Sequence, residues 1–141
     1  MPTTTIMMGD TQENKNLTGQ PIRADGWYGH TDGLHTVVIQ TVNFSGHVYI
    51  EASLELEPKE GDWFPIKLSQ NANYIQFPQN PFKPTGDQDS GGDTGAFGIT
   101  FKVNALWLRA RMDREYLNLT DSFANINILE RGVVSKITLA R

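Results

Sequence analysis

The chain predicts an all-β fold, an antiparallel β-sandwich, and three observations carry that expectation. Apolar and polar residues alternate with a period of two in short segments, most clearly in Phe97–Val103 and Leu106–Met112. Successive strand side chains point to opposite faces, so alternation marks a strand with one buried and one wet face. Clusters of Gly, Pro, Asn and Asp separate most of these segments, as turns between short strands require. Helical periodicity is almost absent, which leaves two packed sheets, or one closed sheet, as the way to bury so many half-apolar strands.

The elements follow in order. Residues 1–21 are polar, with Ile6, Met7, Met8 and Leu17 as apolar anchors. A segment so poor in core-forming residues does not fold alone, so it reads as an extended N-terminal arm, held by a neighbouring subunit or by the chain's own sheet. The body, residues 22–141, reads as one sandwich domain. The Gly- and Asp-rich stretch Ala24–Gly33 is a structured loop around Trp27 and Tyr28. His35–Val42 is nearly continuous and β-branched, hence a central strand. His47–Leu54 alternates, with Val48, Ile50, Ala52 and Leu54 inward. These two strands form a hairpin or cross between the sheets. Trp63–Leu68 contains Pro65, which cannot donate to a ladder, so it is an edge strand or carries a bulge. Asn73–Phe77 is short, and 78–95 is a long loop rich in Pro, Gly and Asp. Residues 114–124 hold the one weak helical signal, Ile126–Leu129 reads as an edge strand, and Val133–Leu139 closes the sheet. The expected inward set is Val37, Ile39, Val48, Ile50, Leu54, Phe64, Ile66, Phe101, Val103, Leu106, Leu108, Ile137 and Leu139.

Composition excludes several function classes. With 12 Lys and Arg against 16 Asp and Glu, scattered rather than striped, the chain has no basic surface for a phosphate backbone. It has no cysteine, so disulfides, thiol nucleophiles and thiolate metal sites are out, and the lack of a disulfide leans towards assembly in a reducing cytoplasm. The first residues lack the basic and apolar regions of a signal peptide, and no apolar run approaches the ~18 residues of a membrane-spanning helix.

Asp87–Asp93 spaces oxygen ligands as calcium loops do, but Gly91 and Gly98 fall where ligands are needed, so a solvated loop tip is expected. His30, Asp32 and His35 are close in sequence, yet an Asp-Gly turn intervenes and no further strong ligand accompanies them; His35 reads as a partly buried strand residue. No serine sits in a nucleophile elbow, and Glu51, Glu55, Glu57, Glu60 and Asp62 read as solvating carboxylates. Neither catalytic, cofactor nor metal residues are therefore expected, and the chain is read as no enzyme. Trp107, Arg109 and Arg111 alternate outward, and Trp with Arg is the composition of a protein–protein surface, with packing inside the chain and carbohydrate binding as the alternatives; with Ile6, Met7 and Met8 they form the expected partner-binding set. Trp27 and Tyr28 are the alternative, glycan-binding candidates.

Two resemblances add to this. The run Val48–Leu54 followed by Asp62–Ile66, then Leu106–Arg111 and the closing Val133–Leu139, resembles discoidin-like or galactose-binding-like jelly rolls. More specifically, Ala24–Val37 followed by Asp62-Trp-Phe-Pro-Ile66 is similar to small virion structural proteins of tailed bacteriophages, nearest to cyanophage-like myoviruses. The resemblance implies a jelly-roll-like sandwich in a non-enzymatic virion protein assembled in a bacterial cytoplasm. It is expected to be a capsid decoration or cement subunit. The alternatives are a tail, neck or baseplate component, or a carbohydrate-binding module of a tail or fibre. Expected partners are other virion proteins and further copies of the chain, with no nucleic acid and no membrane. No site motif is carried over from that group.

Overall fold

The computed structural model describes residues 4–11, 16–29, 33–68, 73–77, 93–113 and 132–140. They form two antiparallel sheets that share one hydrophobic core, as the alternation requires. The strands are β1 (Thr4–Met8), β2 (Asn16–Thr18), β3 (Ile22–Arg23), β4 (Leu34–Phe44), β5 (Gly46–Ser53), β6 (Phe64–Pro65), β7 (Ile75–Phe77), β8 (Asp93–Lys102), β9 (Trp107–Asp113) and β10 (Val133–Ala140). The first sheet runs β1-β10-β4-β8 and the second β2-β9-β5-β6, with β3 beside β2 along β9 and β7 beside β6 along β5. Each sheet is thus four rows wide, the outer rows of the second being split strands.

Inward side chains interdigitate from both sheets. Val37 and Ile39 of β4 and Ile137 and Leu139 of β10 face Val48 and Ile50 of β5 and Leu108, Ala110 and Met112 of β9, all buried. Each large aliphatic among them contributes about 1.5–3 kcal/mol of transfer free energy. Of the expected inward set, Ile66 is also buried, and Phe101 and Val103 pack partly covered against the core. Leu106 is half-buried. Two assignments are corrected: Leu54 is 62% and Phe64 40% exposed. β5 ends at Ser53, so Leu54 lies in the following turn, where alternation no longer applies. Pro65 limits the next strand to two residues at the sheet's edge, rather than the six expected.

β4 and β5 are not a hairpin; the chain crosses from one sheet to the other at Ser45. Asn43 takes a left-handed conformation there (φ 50°), which Asn tolerates, and its N–H donates to Thr94 Oγ1 at 2.8 Å. β8 and β9, consecutive in sequence, likewise lie in different sheets.

The described residues before position 22 pair with the chain's own sheets. β1 pairs with β10 at the edge of the first sheet and β2 with β9 at the edge of the second, so the segment straddles the sandwich. Met7 (1% exposed) and Met8 are consecutive yet both buried, because a register shift between Ile6 and Met8 breaks the alternation. Gly19 permits the close approach on the β2 side. Its N–H donates to Ala110 O at 2.7 Å, and a Cβ there would collide with the Met7 carbonyl.

Candidate functional site

Because Val48, Ile50 and Ala52 of β5 and Leu108, Ala110 and Met112 of β9 face inward, the intervening residues must face out. Their register pairs His47 with Asp113, Tyr49 with Arg111, Glu51 with Arg109 and Ser53 with Trp107. Directly opposed residues on one face lie close enough to interact, so the outer face of the second sheet is a ladder of charge and aromatic pairs.

Its centre is Glu51. One carboxylate oxygen accepts from Arg109 Nε at 2.8 Å and the other from Arg111 Nε at 3.3 Å. Glu51 and Arg109 are each 7% exposed. Arg109 extends its remaining nitrogens to Glu60, Nη1 donating to Oε1 at 3.2 Å and Nη2 to Oε2 at 3.3 Å. Its guanidinium lies 4.4 Å above the Trp63 ring, and that of Arg111 lies 3.9 Å from the centre of Tyr49. Burial alone would lower the Arg109 pKa, but its hydrogen bonds to Glu60 and Glu51, together with their negative charges, outweigh it and leave the group raised. The hydrogen bond from Arg109, and then its charge, hold the Glu60 carboxyl below the usual glutamate range. Removing one member of a buried pair leaves the other uncompensated, at a cost of about 3–5 kcal/mol.

Aromatic groups extend the ladder at both ends. His47 stacks on Tyr74 with ring centres 4.0 Å apart, and its Nε2 lies 2.6 Å from Gln76 Oε1. Tyr49 lies 5.5 Å from Tyr74. At the other end Trp107 packs 5.0 Å from Trp27, which carries the Arg23 guanidinium at 4.7 Å. The Trp107 indole N–H donates to Leu56 O at 3.2 Å and draws the turn after β5 onto the sheet.

The structure therefore brings Trp107, Arg109 and Arg111 together with Trp27, while Tyr28 is exposed beside them at the end of a short 3-10 turn, Asp25–Tyr28. The rest of the expected partner set separates. Met7 and Met8 lie in the chain's own core, which corrects their reading as partner anchors, and Ile6 is exposed on the outer side of β1. Arg109 is held by Glu51 and Glu60 rather than presented to solvent. Trp27 has Arg23 and Trp107 against its ring, which counts against a sugar-stacking role. Near β1 and β2 an open, mostly apolar groove of ≈ 260 Å³ runs over Met7, Met8 and Leu17.

His35 is fully rather than partly buried. Its Nε2 accepts the Asp25 N–H at 3.3 Å, so Nδ1 must carry the proton and donate to Gly33 O at 2.8 Å. The ring anchors the Ala24–Gly33 loop. His30, Asp32 and Asp87–Gly92 lie outside the described residues, among which no group of three or more His, Asp or Glu is placed to hold a metal ion.

Sequence reading takes Glu51 and Glu60 for solvating carboxylates and gives Tyr49 and Tyr74 no part in a site. The available signal was the outward spacing of Tyr49 and Glu51 on one strand against Arg109 and Arg111 on another. No protein-family model, curated protein or solved structure matches the chain.

Proposed function

We propose that the chain is a non-enzymatic structural protein of a tailed-bacteriophage virion, a decoration or cement subunit that attaches to neighbouring virion proteins through the outer face of its second sheet. The observation that carries the proposal is the strand order. Among the described residues, with β2 and β3 counted as one row and β6 and β7 as another, the rows run 1-8-3-6 and 2-7-4-5. We read that order as a jelly roll's, an architecture frequent in viral capsid and lectin domains. Because one fold hosts many functions, the similarity of Ala24–Val37 and Asp62–Ile66 to phage virion proteins is what favours the first of these.

The ladder supplies a mechanism for attachment. Arg111, Tyr49 and Tyr74 are partly exposed, while Glu51 and the ring stack hold them in place. Groups fixed before binding lose less side-chain entropy when a partner arrives, and Tyr and Arg are frequent binding anchors. Attachment thus rests on this face rather than on an N-terminal arm. The test is quantitative mass spectrometry of gradient-purified particles of the phage that encodes the chain. The expected result is the chain at a fixed copy number per particle, lowered roughly tenfold or more by Arg111→Ala with Tyr74→Ala. A chain abundant in the lysate but missing from particles would overturn the proposal.

A further inference from the structure

Two surfaces, one a turn tied to the end of the ladder and one on the opposite sheet, have opposite charge and exposed aliphatic side chains. One is the turn Leu54–Phe64, where Leu54 and Leu56 are 62% and 67% exposed and Phe64, at its end, is 40% exposed. Among its residues are Glu55, Glu57, Glu60 and Asp62 against a single Lys59. The turn does not hang loose. Trp107 holds Leu56 O, Arg109 holds Glu60, and the Lys59 N–H donates to Asp62 Oδ2 at 2.8 Å. A leucine pair held outward by three such restraints is a built feature, since large exposed apolar groups are otherwise left singly on a surface.

The other surface is the outer face of the first sheet. Register places Ile6, Thr138, Val38 and Gly98 across it in one row, with Thr36 and Thr100 joined by a 2.9 Å hydroxyl contact in the next. Ile6, Leu34 and Val42 are each at least half exposed. Within 34–42, 94–102 and 133–140 the charged side chains are Lys102 and Lys136. Both lie on the outer side, opposite Leu34 and Gln40.

We infer that these two surfaces bind each other between copies: the acidic leucine turn of one chain docks on the outer face of the first sheet of the next, which carries Lys102 and Lys136 among aliphatic and threonine side chains. The arrangement is head to tail. A two-fold contact through either surface would set acid against acid or lysine against lysine, whereas the heterologous contact pairs opposite charges. Such a contact propagates into a ring or an open array. The inference stands on these surfaces and holds whether or not the chain belongs to a virion.

Sedimentation equilibrium of the full chain tests it, with concentrations up to about 1 mM so that weak association registers. One variant carries Glu55→Lys and Glu57→Lys, the other Lys102→Glu and Lys136→Glu; all four positions are on the surface, and circular dichroism checks that each variant folds. The wild type is expected to associate with concentration and less strongly in high salt. Each variant alone should associate at least tenfold more weakly. An equimolar mixture should recover association, because every contact between the two variants again pairs opposite charges. A monomeric wild type, variants that associate like the wild type, or a mixture that fails to recover would each overturn the inference.

Discussion

The two outer faces of the sandwich differ more than the two inner ones. Inside, β4 and β10 supply Val37, Ile39, Ile137 and Leu139, while β5 and β9 supply Val48, Ile50, Leu108 and Met112, side chains of one kind serving one core. Outside, β5 and β9 carry Tyr49, Glu51, Trp107, Arg109 and Arg111, locked into one another. β4, β8 and β10 carry Thr36, Val38, Gly98, Thr100 and Thr138, short side chains with little to lock. Packing against a shared core constrains residue size and polarity, so the inner faces converge. The outer faces are constrained only by what meets them, so their divergence points to different tasks.

Breaking the inner faces should have the largest effect and treat both sheets alike. Ile39→Asp and Leu108→Asp each bury an unpaired charge, and each should unfold the domain, with a loss above about 4–5 kcal/mol in chemical denaturation. The outer faces should then part company. Glu51→Ala removes the buried carboxylate that joins Arg109 and Arg111, leaving Arg109 only the exposed Glu60, and should cost about 3 kcal/mol, whereas Thr36→Ala should stay within about 0.5 kcal/mol. Met7→Ala probes the edge where both sheets meet the N-terminal segment. It should cost about 2–3 kcal/mol in the same assay, the low end for a buried methionine because an open groove lies beside it. An arm independent of the core would instead tolerate that change.

The smallest effect concerns pH. The Glu60 carboxyl is depressed from the ordinary value of 4.5 by Arg109. Its contribution is therefore present above the ordinary value and fades as pH falls through its lower folded value. Between about pH 5 and pH 3 the wild type should lose slightly more stability than Glu60→Gln, and added salt should shrink the difference because Glu60 is exposed. Identical pH profiles for the two would contradict the Glu60–Arg109 contact.

The layering was legible in the sequence because a period of two forces side chains to alternate faces wherever a strand is regular. It failed where regularity stops. Leu54 lies one residue past the end of β5, Phe64 sits beside Pro65 at an edge, and the bulge after Ile6 buries Met7 and Met8 together. Trp107, Arg109 and Arg111 were legible as outward residues. That Glu51 unites two of them was not, because alternation gives a residue's face but not its cross-strand neighbour, which depends on register across 58 residues of chain. For the same reason Glu51 read as a solvating carboxylate although it is nearly buried.

A pair of double-mutant cycles tests the contrast between the outer faces most directly, comparing Glu51 with Arg109 on one and Thr36 with Thr100 on the other. The coupling across Glu51 and Arg109 should exceed about 1 kcal/mol and that across the threonines should fall below about 0.5 kcal/mol. Equal couplings on the two faces would contradict the division of the molecule into a locked face and an open one.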